Sequence, residues 1–171
     1  MDPIQCAAAR IVQAIREKAV ATAAAQDEYN PKGLFYAFHV RRGDFQYRKT
    51  RVEASEMLSI SEDILRANTT LYIATDERDK SFFASLATRH SLLFLDDFLH
   101  LVPKLNTNYY GMLDQLIASQ SEIFFGCWFS TFTGYINRIR GYHADLHKLE
   151  GHEQGIIQSY YYALPEHKMK T

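Results

Sequence analysis

The feature that most constrains the fold is an alternation of short apolar runs with longer stretches of helical spacing. Strands that alternate with helices indicate a parallel sheet, because parallel neighbours need a crossover connection between them. The sequence therefore predicts an α/β fold, a Rossmann-like parallel sheet with helices on both faces. The predicted strands cover residues 34–40, 71–74, 92–95 and 123–125, and the predicted helices cover about 4–28, 53–67, 79–88, 110–119 and 130–140.

The chain length allows one domain with terminal extensions, because 171 residues fall within the usual range of a single domain. We expect residues 1–32 to form an N-terminal helix and residues 33–141 the Rossmann-like domain. Residues 142–171 are expected to form a tail that packs on the domain or is partly disordered. No apolar run approaches the roughly 20 residues of a membrane-spanning helix, and Arg10 and Arg16 interrupt the apolar core that a signal peptide needs.

Charge and cysteine content exclude several classes of function. Nineteen Lys and Arg residues against twenty Asp and Glu residues give a net charge of -1. That balance lacks the basic footprint of a general nucleic-acid binder, so no nucleic-acid partner is expected. Two cysteines cannot form a disulfide framework and show no metal-binding spacing. Any anion that this chain binds must therefore be held by a local cluster of groups.

Polar residues follow the predicted strands, where ligands bind in open α/β sheets. His39, Arg41 and Arg42 come at the end of the first strand. The planar guanidinium groups suit the oxygens of a diphosphate. Alternatively, one arginine pairs internally with Asp44 or with another carboxylate at this edge of the sheet.

Two further groups lie at predicted strand ends. Ser130 and Thr131 stand where the last strand passes into the last helix, and free amides there can bind an anion. The alternative is an ordinary helix N-cap, for which Ser and Thr are preferred. Asp76 and Glu77 can position a ribose or orient an arginine, or they can simply favour the start of the following helix.

Asp114 interrupts the apolar face of a predicted helix and needs a partner there. The N1 and N2 edge of a guanine is one candidate and an arginine of the protein is the other, and the pattern favours a protein partner. None of the glycines forms a GxGxxG or a Walker A loop, which disfavours a dinucleotide oxidoreductase.

Three segments together resemble the motifs of the GDP-fucose-dependent fucosyltransferases, the group that includes the protein O-fucosyltransferases. Residues 39–44, HVRRGD, resemble the HxRR(x)D motif, and residues 73–76, IATD, resemble the second motif. The third motif places an aspartate sixteen positions before a Ser-Ser-Phe segment, as Asp114 stands before Ser130 here. Three motifs in the right order make the resemblance specific.

The resemblance implies roles for individual residues. Arg41 matches the arginine that contacts the diphosphate and is central to activity, and His39 matches a histidine beside the nucleotide sugar. Asp114 matches the carboxylate implicated at the guanine end. The matched phosphate-binding segment comprises Ser130, Thr131 and Phe132, and the matched orienting positions are Arg42, Asp44 and Asp76.

The resemblance also implies an activity and an architecture. The family transfers fucose from GDP-fucose to a protein or glycan acceptor with inversion, and no obligatory metal or other cofactor is expected. This chain resembles the C-terminal, donor-binding half of a GT-B glycosyltransferase, because only 38 residues precede His39. We therefore expect a missing N-terminal acceptor-binding half and the Golgi or endoplasmic reticulum lumen as the compartment. The alternative is a non-catalytic nucleotide-sugar-binding or protein-interaction domain left by truncation.

Overall fold

Five strands and five helices alternate along the chain in the computed structural model, which describes residues 3–43, 51–150, 153 and 158–162. Three 3-10 segments, Lys80–Phe83, Leu95–Leu101 and Thr107–Tyr109, lie in the connections. The strands are β1 (Tyr36–Val40), β2 (Thr69–Thr75), β3 (His90–Phe94), β4 (Phe124–Cys127) and β5 (Ser159–Tyr162), and the helices are α1 (Pro3–Ala24), α2 (Ala54–Ser61), α3 (Ala84–Ala87), α4 (Tyr110–Ser119) and α5 (Thr131–Leu146).

The strands form one sheet in the order β3-β2-β1-β4-β5, and every neighbouring pair is parallel. Strand β1 is central, and its residue Ala37 pairs with Tyr72 on one side and with Phe124 on the other. The chain order reverses direction across β1, which creates a crevice between β1 and β4 at the carboxyl edge of the sheet. The predicted α/β, Rossmann-like fold is confirmed.

Alternate residues of the strands pack into two separate apolar layers. Ala37 and Tyr72 belong to the layer beneath α1, α4 and α5, whereas Phe38 and Ile73 belong to the layer beneath α2 and α3. This alternation follows from the two-residue period of a strand. Both faces of β1 are therefore covered, which explains its uninterrupted apolar sequence.

Helix α1 packs along the sheet through an apolar stripe. Ile11 and Ile15 are fully buried, and the other buried residues of the helix are Ala7, Ala8, Val12, Ala19 and Ala23. Among the described residues, no helix combines the length and the apolar character that crossing a bilayer requires.

Two helices are shorter than their sequence patterns predict. Helix α2 ends at Ser61, whose hydroxyl donates to the carbonyl of Met57 and so competes with the helical hydrogen bonds. The stretch predicted as a helix over 79–88 is a 3-10 turn followed by the single turn of α3. Its start is fixed by Asp79, whose side chain accepts from the amide of Ser81.

The described part of the C-terminal tail adds β5 to the edge of the sheet beside β4. Tyr162 is buried there, and its hydroxyl donates to the carbonyl of His39 over 3.0 Å. This bond joins the tail to the end of β1. Four residues carry too short a pattern to predict a strand, and the pairing depends on β4 being in place.

Candidate functional site

A cavity of about 520 Å³ opens at the carboxyl edge of the sheet, between the ends of β1, β2 and β4 and the first turns of α4 and α5. Parallel strands bring their carboxyl ends to one edge, so residues far apart in the sequence meet there. The residues that line it are His39, Arg41, Thr75, Asp76, Gly111, Asp114, Phe129, Ser130, Thr131 and Phe132. The structure thus brings together all the predicted site residues that it describes except Arg42 and Glu77, which do not line the cavity.

Arg41 is held at the cavity by the carboxylate of Asp76. Nη1 of Arg41 lies 3.2 Å from Oδ2 of Asp76, and 40% of the arginine side chain remains exposed. Asp76 also accepts from the backbone amides of Arg42 and Gly43, over 2.8 and 2.9 Å. A Cβ atom at Gly43 would collide with that carboxylate. Asp76 therefore orients both the guanidinium and the backbone that leaves β1.

Arg42 lies on the other side of the strand end and does not line the cavity. Its Nε donates to Glu77 over 3.3 Å, and its Nη1 donates to the carbonyl of Val52 over 3.4 Å. The guanidinium also sits 3.8 Å above the ring of Phe82. The internal pairing considered from the sequence is realised at both arginines, because Arg41 pairs with Asp76 and Arg42 pairs with Glu77 and Glu53. Asp44, the other expected partner, lies outside the described residues.

His39 forms part of the cavity wall although only 5% of it is exposed. Its ring stacks on Phe132 with 4.4 Å between centroids, and its Nδ1 lies 2.7 Å from Oγ1 of Thr133. The pKa of His39 is lowered to about 4, mainly by desolvation; Asp76 opposes this shift, and Arg41 adds a smaller decrease. The imidazole is therefore neutral near pH 7.

Helix α5 begins at the cavity. Ser130 is its N-cap, and the serine hydroxyl accepts from the amide of Thr133 over 3.4 Å. The N-cap alternative is therefore realised. Yet the amides of Thr131 and Phe132 make no hydrogen bond to any residue that the structure describes, as expected for a first helical turn. The helix start can thus still bind an anion together with Arg41.

Asp114 projects from α4 into the cavity wall, where its partner is a tyrosine. The hydroxyl of Tyr72 donates to Oδ1 of Asp114 over 2.6 Å. Desolvation raises the pKa of Asp114 to about 7, while the bond from Tyr72 opposes the rise. The protein partner expected from the sequence was an arginine, and that expectation was wrong, since an uncharged donor from β2 takes its place.

Several residues of the site were not singled out from the sequence. Thr75 lies inside the second motif and Thr133 directly follows the matched segment of the third, but nothing in their spacing indicated their contacts. Phe129 has a positive φ of 58°. This conformation is rare for a bulky aromatic residue, and the sequence does not predict it. Gly111 stands opposite the ring of Phe132 in the first turn of α4.

The described residues contain no group of three or more His, Cys, Asp or Glu side chains arranged to hold a metal ion. His143 in the last turn of α5 and His147, the C-cap residue of that helix, stack edge to face at 4.3 Å. Desolvation, and the neighbouring His147, lower the pKa of His143. Two imidazoles alone fall short of the four ligands of a structural zinc site.

Comparison with known proteins identifies the family of this chain. No curated protein matches the chain. The model of the family described as GDP-fucose protein O-fucosyltransferase matches residues 1–143, which run from α1 into α5 and include every residue of the cavity. That match covers most of the chain, and this protein therefore belongs to the GDP-fucose protein O-fucosyltransferase family.

Proposed function

We propose that this chain binds GDP-fucose in the cavity at the carboxyl edge of its sheet and serves as the donor-binding part of an inverting fucosyltransferase. Membership of the family indicates a fucosyltransferase-type function. The observation that carries the proposal is that Arg41, the first turn of α5 and Asp114 all line one cavity. Its volume of about 520 Å³ lies within the roughly 300–1,000 Å³ typical of small-molecule sites.

The diphosphate of GDP-fucose would lie between Arg41 and the start of α5. A guanidinium offers planar donors to phosphate oxygens, and the first helical turn adds free amides and the positive end of the helix dipole. The hydroxyl groups of Ser130 and Thr131 stand beside those amides. Because Arg41 shares its charge with Asp76, the anion site depends on the helix start as much as on the arginine.

The guanine would be recognised by Asp114. An ionised carboxylate can accept from N1–H and from the 2-amino group of guanine together, whereas adenine offers no such donor pair. A site built to pair with those donors rejects a base that lacks them, because the buried carboxylate is then left unpaired. Asp114 lies in the first half of α4 and lines the cavity.

In the transfer step, an acceptor oxygen bonds to the anomeric carbon of fucose from the face opposite GDP. The bond from that carbon to the β-phosphate oxygen breaks, and its electron pair leaves with GDP. Arg41 and the helix-start amides would stabilise the charge that develops on the leaving diphosphate, and losing one such donor typically costs about 10²- to 10³-fold in rate.

The acceptor proton needs a base from outside the described residues. Asp76 is occupied by Arg41 and by two backbone amides, and Asp114 is assigned to the base of the nucleotide. We therefore include in the proposal an N-terminal acceptor-binding half, absent from this sequence, that supplies the site for a protein or glycan acceptor. The Golgi or endoplasmic reticulum lumen is the proposed compartment.

Calorimetric titration with GDP tests the donor site directly. The chain should bind GDP, bind ADP at least tenfold more weakly, and lose GDP binding on Arg41→Ala. Arg89→Ala is the matched control, because Arg89 pairs with Glu62 away from the cavity. Absence of GDP binding at millimolar concentration would refute the proposal. Binding without release of GDP from GDP-fucose, even with an acceptor-binding half supplied, would favour the non-catalytic alternative.

A further inference from the structure

Thr133, a fully buried residue in the first turn of α5, connects three parts of the site. Its Oγ1 lies 2.7 Å from Nδ1 of His39 on β1 and 3.0 Å from the backbone nitrogen of Cys127 on β4. The two contacts share one hydroxyl group, which has a single proton to donate and lone pairs for two acceptor bonds. The direction of each hydrogen bond can therefore be worked out.

The amide of Cys127 can only donate, so Oγ1 of Thr133 accepts from it. The hydroxyl proton then needs an acceptor. Among the described residues, Nδ1 of His39 is the acceptor within reach of that proton, since Thr133 makes no side-chain hydrogen bond to a preceding carbonyl of its helix. The reverse assignment, with Nδ1 protonated and donating, would leave the hydroxyl proton buried without an acceptor, which is unfavourable.

With Nδ1 accepting from Thr133, the proton of the neutral imidazole resides on Nε2. The ring is held in place by its stack on Phe132 and by burial of all but 5% of its surface. Neutrality follows from the same burial, which lowers the pKa of His39 to about 4. The imidazole can then offer the cavity one hydrogen-bond donor and no acceptor.

We propose that Thr133 is a positioning residue that locks His39 in the Nε2–H tautomer, so that the imidazole donates a hydrogen bond to an anionic oxygen of the nucleotide sugar. The inference rests on the proposed function for the identity of that ligand. A protonated Nε2 matches phosphate oxygens, which only accept, and it cannot take a proton from an acceptor hydroxyl. His39 is thereby assigned to donor binding rather than to base catalysis.

Gly126 allows the start of α5 to lie close to β4, and the contacts of Thr133 depend on that close approach. A Cβ atom at Gly126 would collide with Cγ2 of Thr133, so only glycine lets the start of α5 approach β4 this closely. The close approach brings Oγ1 within reach of both the Cys127 amide and the His39 ring. A Gly126→Ala variant should therefore lengthen the contact between Thr133 and His39.

The tautomer can be read directly by long-range ¹H–¹⁵N correlation NMR of the ligand-free chain labelled with ¹⁵N-histidine, with the His39 signals assigned by comparison with His39→Gln. The expected result is a protonated Nε2 and a hydrogen-bonded, unprotonated Nδ1. Thr133→Ser should preserve this pattern, whereas Thr133→Val should shift the Nδ1 resonance as its hydrogen bond is lost. Thr88→Val, the same change at an exposed threonine, should leave it unaltered.

A protonated Nδ1 in the unmodified chain, or an Nδ1 resonance indifferent to Thr133→Val, would overturn the proposal. If Thr133→Val does not fold, the unmodified chain and Thr133→Ser still decide the tautomer. A second measurement is the affinity for GDP, which we expect to fall about tenfold in Thr133→Val and to change less than twofold in Thr133→Ser. Failure of the unmodified chain to bind GDP would refute the proposed function while leaving the tautomer result intact.

Discussion

The carboxylate of Asp76 at the end of β2 holds the guanidinium of Arg41 at the end of β1, with 3.2 Å between Oδ2 and Nη1. The same carboxylate accepts two backbone amides of the segment after β1. One acidic side chain therefore fixes both the cation of the cavity and the chain that carries it. The arrangement lowers the local positive charge in exchange for a defined orientation of Arg41.

Asp76→Ala should weaken GDP binding, although it removes a negative charge from beside the diphosphate. The two amides and the guanidinium lose their common acceptor, and an unoriented arginine forms weaker phosphate contacts. We expect affinity to fall at least tenfold, measured by calorimetry, with a small loss of thermal stability. Glu62→Ala, which breaks the Arg89 pair instead, is the control. Tighter GDP binding by Asp76→Ala would show that electrostatic repulsion outweighs orientation.

Binding of GDP should depend on pH through Asp114. The carboxylate must be ionised to accept from guanine, and its pKa in the free chain is raised to about 7. Affinity should therefore fall as the pH drops below about 7, and binding near that pH should release a proton. Titrations in buffers of different ionisation enthalpy measure the proton release. In Asp114→Asn the release should vanish.

The ionisation of Asp114 also affects folding stability, but there a rise in pH is unfavourable. Its pKa rises from 3.8 in the unfolded chain to about 7 in the folded chain, so the folded state binds the proton more tightly. This contribution to stability is complete below about pH 3.8 and is lost as the pH rises through about 7. Urea titrations should show that the free energy of unfolding depends on pH in the unmodified chain more than in Asp114→Asn. If the two chains differ by the same free energy at every pH, this expectation is wrong.

Tyr72→Phe should shift the pH dependence of GDP binding upward. The tyrosine hydroxyl donates to Asp114 over 2.6 Å and lowers the pKa of that carboxyl. Its removal should raise the midpoint of the binding curve while leaving affinity at high pH nearly unchanged. Tyr36→Phe changes a tyrosine on the other face of the sheet and is the matched control. An unmoved midpoint in Tyr72→Phe would mean that the hydrogen bond does not influence ionisation.

Arg140 should contribute to stability rather than to binding. It lies on the buried face of α5 and donates to the carbonyls of Ser121, Glu122 and Gln158 and to the hydroxyl of Ser159, which links α5 to β4 and β5. Burial lowers its pKa to about 10. Replacing it with Met leaves several buried acceptors unpaired, and we expect the free energy of unfolding to fall by about 3 kcal/mol.

Urea denaturation measures this loss, with Arg138→Met on the exposed side of α5 as the control. GDP affinity of the folded fraction should change less than twofold in both variants, since neither arginine lines the cavity. A large loss of affinity in Arg140→Met at full folding would instead give this residue a role in the site.

The sequence predicts that Arg41, Asp76 and Ser130 lie close together, because any parallel sheet brings the carboxyl ends of its strands to one edge. The sequence also indicates which face of the sheet Arg42 lies on. His39 and Arg41 share the face of Ala37, whereas Arg42 falls with Phe38 and Val40 on the opposite face. The two-residue period of β1 thus indicates that only one of the adjacent arginines can reach the cavity.

The contact between Tyr72 and Asp114 could not be predicted in this way. It depends on the position of α4 along the sheet, which is set by the packing of α4 against α1, α5 and the strands rather than by a local sequence pattern. The same holds for β5, whose partner strand lies more than thirty residues earlier in the chain. The sequence weakly indicates that Arg140 is buried, since its spacing continues the face of α5 formed by Thr133 and Ile136.

Phe129→Gly should not destabilise the fold, even though it removes an aromatic side chain. Phe129 has a φ of 58°, a left-handed conformation that costs a residue other than glycine roughly 1–2 kcal/mol. The residue is 51% exposed, so burial offsets only part of that strain. A glycine relieves the strain but adds entropy to the unfolded chain. We expect thermal unfolding of Phe129→Gly to occur at the same temperature or a few degrees higher.

Asn68→Gly is the matched control, because Asn68 has a φ of 60° but asparagine tolerates this conformation far better. Its unfolding temperature should change less than that of Phe129→Gly. Because Phe129 lines the cavity, the glycine variant should also bind GDP more weakly, so that stability and affinity move in opposite directions. A variant that loses both together would show that the ring serves packing, and that the strain at this position is compensated by contacts within the fold.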